Sequence, residues 1–199
     1  MQFVNTISDE VKDIAVAVSV LTFAFLLLDI VDYGRVLFVD YAWLFVSASL
    51  LSVITAFLLH ELSHRHVARV FGQVAYFKLW PLGALLALVT SLFGIIFAAP
   101  GAVYYHGYQT DHSISGKISL AGPAMNLLVG TMLAAAGYIT SIPDAAFILL
   151  QAARLNFWFG LFNMIPLWQL DGAKVILWSR EAFLVAIAIA LLGTVLLGY

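Results

Sequence analysis

Residues 42–64 read AWLFVSASLLSVITAFLLHELSH, and the apolar part of this run is long enough to cross a lipid bilayer. A spanning helix needs about 20 consecutive apolar residues, and no charged side chain occurs in this stretch before Glu61. The polar cluster His60-Glu61-Leu62-Ser63-His64 therefore stands at the end of a hydrophobic segment. We interpret residues 42–62 as a membrane-spanning helix that ends in ionisable side chains.

Similar apolar runs recur along the chain. Three more are long enough to span a bilayer, namely 14–31, 118–140 and 145–166. A fifth run, 182–198, is slightly short, and a sixth, 82–99, leads directly into Pro100-Gly101. None of them alternates apolar with polar residues as a transmembrane barrel strand does. The sequence predicts an all-α polytopic membrane protein with about five transmembrane helices.

The overall composition excludes several classes of protein. Of the 199 residues, 63% are apolar and 10% are charged, against roughly 45–50% and about 25% in soluble domains. A soluble fold of this size buries only about 70% of its surface, so it could not hide so much apolar area. The chain has no Cys, which excludes a disulfide-built secreted module. A net charge of −2 offers no basic stripe, so we expect no nucleic-acid partner.

The segment His60-Glu61-Leu62-Ser63-His64 matches an H-E-x-x-H pattern. On a helix, His60 and His64 lie one turn apart on one face, so both imidazoles can bind one zinc ion. Glu61 lies within about 100° of them, where it can act as general base without being a ligand. The alternative is a polar helix end that meets the membrane interface. Ionisable groups at the end of a spanning helix are costly, which favours the functional interpretation.

Catalytic zinc normally has three protein ligands, so one more is expected. The candidates are the carboxylates and the remaining histidines, which are His66, His106 and His112. Asp171 stands out because it follows an apolar run and is flanked by Leu and Gly. Spacing favours Asp171, but it leaves the two histidines of the connector 100–117 open as modulators or alternative ligands.

Two further motifs accompany the H-E-x-x-H segment. The first is a G-P-x-x-N element, Gly122-Pro123-Ala124-Met125-Asn126, and the second is an N-x-x-P-x-x-x-x-D-G stretch from Asn163 to Gly172. Each of the three motifs lies on its own hydrophobic segment. Together, in this order, they resemble the site-2 protease family of intramembrane zinc metalloproteases, over about residues 42–175.

This resemblance implies an enzyme that hydrolyses a peptide bond within the transmembrane helix of a membrane-protein substrate. It implies one zinc ion per chain, with Asp171 as the third ligand beside His60 and His64. It also implies that Asn126 and Asn163 position the substrate backbone or stabilise the oxyanion. The alternative for both asparagines is hydrogen bonding between helices.

The domain organisation expected from the sequence is simple. We expect a single membrane-embedded metalloprotease domain over 1–199, with a core at 42–175 and flanking helices at 14–31 and 182–198. Many members of the family carry a PDZ or nucleotide-sensing domain, for which this chain has no room. We therefore expect no soluble regulatory domain and no nucleotide, and the expected partners are a transmembrane substrate and the lipid bilayer.

Orientation in the membrane follows the distribution of Lys and Arg in short loops. If the N-terminus is cytoplasmic, Arg35 alone is outside. The basic residues then inside are Lys12, Arg65, Arg69, Lys78, Lys117, Lys174 and Arg180. The sequence thus predicts a multi-pass cell-membrane protein whose N-terminus and active site lie toward the cytoplasm.

The segment 82–99 is constrained by the metal. If it were a full span, Asp171 would emerge roughly 30 Å from His60, across the hydrocarbon core. We therefore expect it to be re-entrant or to lie in the membrane plane. The residues on either side, 71–81 and 103–105, are rich in aromatic and β-branched side chains and favour short strands at the membrane surface. Such strands must pair with each other or be buried in protein.

The expected mechanism is hydrolysis by a zinc-activated water, with Glu61 accepting the proton and later donating it to the leaving amine. The alternative is a non-enzymatic zinc-binding membrane protein, such as a metal transporter. This alternative is disfavoured because Glu61 would then have no role. The chain also lacks the internal repeat that many transporters contain.

Overall fold

The computed structural model describes residues 7–96, 100–107, 111–167 and 169–198, which are mostly helical. Nine helices are assigned within these ranges: α1 (Ile7–Tyr33), α2 (Arg35–Asp40), α3 (Ala42–Val53), α4 (Leu59–Val70), α5 (Pro81–Ser91), α6 (His112–Ile139), α7 (Pro143–Asn163), α8 (Asp171–Trp178) and α9 (Arg180–Leu196). Two strands, β1 (Val74–Leu79) and β2 (Gly101–His106), form one antiparallel sheet. The predicted all-α class with short strands is confirmed.

Four helical segments in the described ranges are long and apolar enough to cross a membrane. They are α1, the continuous span Ala42–Val70, α6 and α7. At most half of the apolar stretch of any of them is buried inside the protein. Many large apolar side chains on these helices are exposed, as expected of helices that face lipid, and the chain is a membrane protein. The fifth predicted run forms α9, whose 17 residues lie at the short end of the spanning range.

Helices α3 and α4 are joined without a break by a π-helical turn, Ile54–Leu58. In this turn the N–H of Leu59 donates to the carbonyl of Ile54, five residues back instead of four. Such turns are rare inside helices and occur often at functional sites. Here the turn comes directly before the segment of α4 that carries His60.

Side-chain caps explain where two of the helices begin. The carboxylate of Asp111 accepts a hydrogen bond from the N–H of Ile114 at 2.7 Å, and α6 therefore begins at His112. The hydroxyl of Ser179 accepts from the N–H of Ala182 at 3.1 Å at the start of α9. Helix α6 thus begins inside the stretch 100–117, which hydropathy alone assigns to a connector.

The two strands hold both ends of the predicted re-entrant segment together. Leu79, at the end of β1, pairs with Gly101, at the start of β2. Next to this pair, the N–H of Trp80 donates to the carbonyl of Pro100 at 2.7 Å. The segment between them includes α5 and residues 97–99, which lie outside the described ranges. The strands therefore pair with each other as predicted, and the segment starts and ends at one place.

The outer edge of β1, on the side away from β2, is occupied by side chains. The N–H of Phe77 donates to Glu10 at 2.9 Å, and the N–H of Leu79 donates to Asp13 at 3.1 Å. The guanidinium of Arg69 donates to the carbonyl of Ala75 at 2.7 Å. Helices α1 and α4 therefore close this edge, which leaves β2 as the strand with an edge toward the rest of the protein.

Apolar packing fixes the sheet and α8 against the long helices. The ring of Phe77 is 1% exposed and packs in one cluster with Leu21 of α1 and Phe57 of the π-helical turn. A second cluster joins Met164, just after α7, to Val175 of α8, and both are fully buried. The first cluster holds β1 against α1 and the π-helical turn, and the second holds α8 against the end of α7.

Candidate active site

His60 and His64 lie on one face of α4, as the H-E-x-x-H spacing predicts. Both are buried, with 2% and 8% of their surface exposed. Their rings pack edge to face, with centroids 4.5 Å apart, and their Nε2 atoms approach to 2.9 Å. The two imidazoles therefore present the same ring nitrogen to one point.

Asp171 reaches the same point from the first position of α8. The chain turns tightly between α7 and α8, because a Cβ on Gly172 would overlap with the backbone of Met164. Only glycine fits there without moving the turn. The Oδ2 atom of Asp171 lies 3.3 Å from the Nε2 atom of His60 and 3.2 Å from that of His64.

Hydrogen bonds determine which nitrogen of His60 carries the proton. The amide nitrogen of Asn126 donates to the carbonyl of Ala56 at 2.9 Å and to Oδ1 of Asn156 at 3.2 Å. Its amide oxygen must therefore face His60, whose Nδ1 lies 2.5 Å away. An amide oxygen only accepts, so Nδ1 of His60 is the donor and Nε2 carries a lone pair.

The same logic applies to His64. Its Nδ1 lies 2.7 Å from the backbone carbonyl of Ile118, which can only accept. The neutral ring therefore carries its proton on Nδ1, and its Nε2 is also a lone pair. With both rings neutral, two imidazole lone pairs and the Asp171 carboxylate converge on one point. Three acceptors at such distances repel one another unless a cation lies among them.

The dimensions of this group fit zinc. Bonds of about 2.0–2.2 Å from a tetrahedral zinc to N and O place neighbouring ligand atoms roughly 3.3 Å apart. The observed separations are 2.9, 3.2 and 3.3 Å. Gly122 of α6 keeps the space beside the group free, because a Cβ there would overlap with Nε2 of both His60 and His64. Donor set, spacing and free space all suit the metal.

Glu61 lies beside this group in a cleft of about 250 Å³. Its Oε2 accepts a hydrogen bond from the N–H of Val103 at 3.0 Å. Val103 pairs with Phe77 across the sheet, and both N–H groups point outward, away from the partner strand. The edge of β2 therefore forms one wall of the cleft, to which Gly101, Val103 and Tyr105 of this strand contribute.

Asn163 lines the cleft, whereas Asn126 does not. Asn126 is fully buried, and its amide is used by protein partners, among them Nδ1 of His60. Asn163 is partly buried at the end of α7, where its amide nitrogen donates to the carbonyl of Phe159 at 3.0 Å. The two asparagines, which the sequence treats alike, thus occupy different environments. Lys174 of α8 also lines the cleft.

The other histidines are not part of the group. Within the described ranges, the residues placed to share a metal are His60, His64 and Asp171. His106 ends β2 opposite Val74, and His112 begins α6. His66 lines a separate groove between α4 and α6.

Sequence reasoning missed Asn156. It is fully buried in α7 and contacts both Asn126 and Thr55 of the π-helical turn. The signal that could have found it is the presence of a polar side chain inside the apolar run 145–166. Such residues usually face the interior of a helix bundle.

Comparison with known proteins reveals similarity to several metalloproteases. "Putative zinc metalloprotease MJ0611" of Methanocaldococcus jannaschii is 35% identical over 164 residues, covering 76% of this chain and 77% of that protein. "Putative zinc metalloprotease YwhC" of Bacillus subtilis is 30% identical over 152 residues, covering 63% of this chain and 66% of that protein.

A third relative is longer. "Putative zinc metalloprotease Rip3" of Mycobacterium tuberculosis is 31% identical over 147 residues, which cover 70% of this chain but only 33% of that protein. No protein-family model matches the chain, and no solved structure matches it. The similarity to these relatives therefore rests on sequence.

Proposed function

Because the chain belongs to the site-2 protease family and is a zinc metalloprotease, we propose that it is an intramembrane endopeptidase. It hydrolyses a peptide bond within the transmembrane helix of a membrane-protein substrate. The observation that carries this proposal is the convergence of His60, His64 and Asp171 beside Glu61, on a helix long enough to span the bilayer. A soluble substrate would not reach a site on such a helix, whereas a membrane-spanning substrate would.

The position of the site supports a substrate that lies in the membrane. His60 is 18 residues into the 29-residue span Ala42–Val70, so it lies about 27 Å along the helix axis. The bilayer core is about 30 Å thick, which puts the site near one end of the hydrocarbon region. A peptide bond in a spanning helix reaches that depth without leaving the membrane.

His60, His64 and Asp171 would hold the zinc ion in this proposal, each through one atom. When bound there, zinc lowers the pKa of a coordinated water toward neutrality and polarises the carbonyl of the scissile bond. The hydrogen bonds to Asn126 and to the carbonyl of Ile118 keep the two imidazoles oriented with Nε2 inward. We assign Asn126 to this positioning task.

Glu61 accepts the proton of the attacking water and passes it to the leaving amine. Its neighbours in the cleft support this role, because its carboxylate is adjacent to the histidines yet bonded to a backbone N–H. That contact holds the carboxylate at the wall along which a substrate would lie. We propose that Asn163 binds the substrate backbone, which its place in the lining of the cleft supports.

The substrate helix must unwind before it is cut, because its amides are otherwise locked in hydrogen bonds within the helix. An opened peptide needs new backbone partners, and the outer edge of β2 lies along the cleft, where Glu61 holds the N–H of Val103 and would release it to the peptide. The edge of β1 is unsuitable because Glu10, Asp13 and Arg69 already occupy it. We therefore propose that the substrate adds to β2 as a third strand.

We further propose a cell-membrane location in which the N-terminus and the active site lie toward the cytoplasm. The ion pair between Arg65 and Glu10, at 3.0 Å, brings the start of α1 to the end of α4. Near the start of α6, Lys117 lies over the ring of Phe71, just after α4, and over the ring of Trp178, at the end of α8, so these helix ends lie on the same side. Basic residues therefore concentrate at the zinc end of the helices, as in cytoplasmic loops.

The domain interpretation is part of the same proposal. One membrane-embedded unit carries the ligands, with its core over 42–175, and α1 and α9 flank it. The contacts of Glu10 and Asp13 with β1 make α1 a support of the sheet whose other strand, β2, forms a wall of the cleft.

Quantitative proteomics of membrane fractions tests the proposal. Cells that produce the wild-type chain are compared with cells that produce Glu61→Gln. We expect new peptide termini inside the hydrophobic segments of a few membrane proteins, present only with the wild type. Termini confined to soluble loops would contradict intramembrane cleavage.

A further inference from the structure

Asn156 links three helices through a chain of buried hydrogen bonds that ends at a zinc-ligand candidate. It lies in α7, is 0% exposed, and contacts Thr55 of the π-helical turn and Asn126 of α6. Within the described part of the chain it is not among the residues that line the cleft. We propose that Asn156 is a positioning residue, which acts through Asn126 to hold His60 as a zinc ligand. This inference rests on the proposed function, because it takes His60 to bind zinc.

The donors and acceptors in this series of hydrogen bonds fix the orientation of each side chain. The hydroxyl of Thr55 donates to the carbonyl of Leu51 at 2.7 Å, so its oxygen accepts from Asn156, 2.8 Å away. The amide nitrogen of Asn156 also donates to the carbonyl of Ala152 at 2.8 Å. The amide oxygen of Asn156 therefore faces Asn126 as an acceptor.

The orientation of the Asn156 amide determines that of the Asn126 amide. Because Asn156 presents an oxygen, Asn126 must present its nitrogen to it, and its own oxygen then faces His60. If the amide of Asn126 turned over, its nitrogen would point at Nδ1 of His60. Two donors would then meet, or the ring would move its proton to Nε2 and lose the lone pair that binds the metal.

The π-helical turn supplies two of the hydrogen-bonding groups that hold the asparagines. The turn Ile54–Leu58 contains Thr55, which is the first residue of the hydrogen-bond series. It also contains Ala56, whose carbonyl accepts a hydrogen bond from Asn126. The turn therefore presents a hydroxyl and a carbonyl to the two asparagines just before the helix reaches His60. A role in ligand positioning accounts for an irregular turn at this place in a spanning helix.

The test measures zinc affinity in purified protein by competition with a fluorescent chelator. Asn156→Leu is close in size and removes every hydrogen bond of the side chain. We expect zinc binding to weaken about fivefold, the equivalent of one ordinary buried hydrogen bond. Asn126→Leu, which acts directly on the ligand, should weaken it by 10–100-fold. The double variant should be no worse than Asn126→Leu, because the effect of Asn156 passes through Asn126.

A control separates positioning from general stability. Thr194→Val removes a buried hydroxyl from α9, which donates to the carbonyl of Ala190 at 2.8 Å. It should lower the thermal midpoint of the metal-free protein without changing zinc affinity. Thr55→Val makes the same chemical change at the start of the chain, and it should weaken zinc binding. If Asn156→Leu does not fold, the comparison of these two Thr variants decides the question.

Two outcomes would overturn the inference. Zinc affinity could be unchanged in Asn156→Leu and Thr55→Val, or the effect of Asn156→Leu could add in full to that of Asn126→Leu. The first result would give Asn156 a purely structural role, the second would mean that its effect on zinc does not pass through Asn126, and both would leave the proposed function intact. The proposed function has its own check, because His60→Ala must lose zinc in the same assay.

Discussion

Leu79 and Gly101 are paired across the β1–β2 sheet, so the chain leaves and returns to the sheet at one point. The segment between them contains an 11-residue helix, α5, and no full membrane crossing can fit between two paired residues. The helix that follows, α6, therefore starts on the same side as the end of α4. Because α6 starts on that side, α7 returns to it, and Asp171, which follows α7, can reach His60 and His64.

Thiol labelling tests this topology. The chain has no Cys, so single cysteines at positions 35, 112 and 174 can be labelled without background. With a membrane-impermeant reagent on sealed cells, we expect position 35 to react at once. Positions 112 and 174 should react only after the membrane is opened. Labelling of 112 but not 174 from outside would place them on opposite faces and contradict the sheet pairing.

Asp171 should be required for zinc retention. Asp171→Ala removes one of the three converging acceptors, and we expect zinc affinity to fall by more than about 100-fold, beyond the loss typical of outer-shell residues. Zinc content after purification, measured by mass spectrometry, is the readout. His106→Ala and His112→Ala are the controls and should keep stoichiometric zinc. Zinc retained in Asp171→Ala but lost in one of the controls would move the third ligand to 100–117.

Gly122 should be irreplaceable for a steric reason. A Cβ at this position overlaps with Nε2 of both His60 and His64, so Gly122→Ala should expel the metal. Ala favours a helix over Gly by about 1 kcal/mol, so α6 itself should not be weakened. Gly137→Ala is the control in the same helix, where the added Cβ meets only the flexible side chains of Leu149 and Leu150. A Gly122→Ala protein with full zinc content would show that the ligands lie elsewhere.

The edge of β2 should bind the substrate backbone. Val103→Pro removes the outward N–H without breaking a bond of the sheet, because edge strands tolerate proline at such positions. Because the same N–H holds Glu61, a fall in kcat reports on the general base, whereas a rise in KM, which we expect to be about tenfold with zinc content unchanged, reports on substrate pairing. Val103→Ala keeps the N–H and should remain near wild type. Equal activity of the two variants would mean that substrate does not pair with this edge.

Local patterns made part of the site predictable. The i, i+4 spacing of His60 and His64 requires only that the segment be helical, and the apolar run before it makes a helix the natural outcome. Asp171 is remote in sequence, so spacing favoured it without excluding His106 or His112. The stretch from Asn163 to Gly172 resembles a family motif, and this resemblance identified Asp171 as the expected third ligand, which spacing alone could not do.

The supporting contacts depend on tertiary packing and leave no local signature. The π-helical turn Ile54–Leu58 is apolar like the regular helix α3 that precedes it, so its composition does not reveal it. The bond from Val103 to Glu61 arises from the register of the two strands and joins residues that are 42 positions apart. Asn126 resembles a substrate-binding residue in sequence, and only the positions of Ala56 and Asn156 reveal that its amide is used inside the protein.

The most direct test of the account maps the scissile bond in a reconstituted system. The purified wild-type chain and Glu61→Gln are placed in liposomes with a single-span substrate found by the proteomic comparison, and the products are sequenced by mass spectrometry. We predict one cut inside the hydrophobic segment of the substrate. Glu61→Gln should retain full zinc and lose activity by at least about a hundredfold. A cut outside the hydrophobic segment, or a Glu61→Gln protein that cleaves at the wild-type rate, would contradict intramembrane hydrolysis with Glu61 as general base.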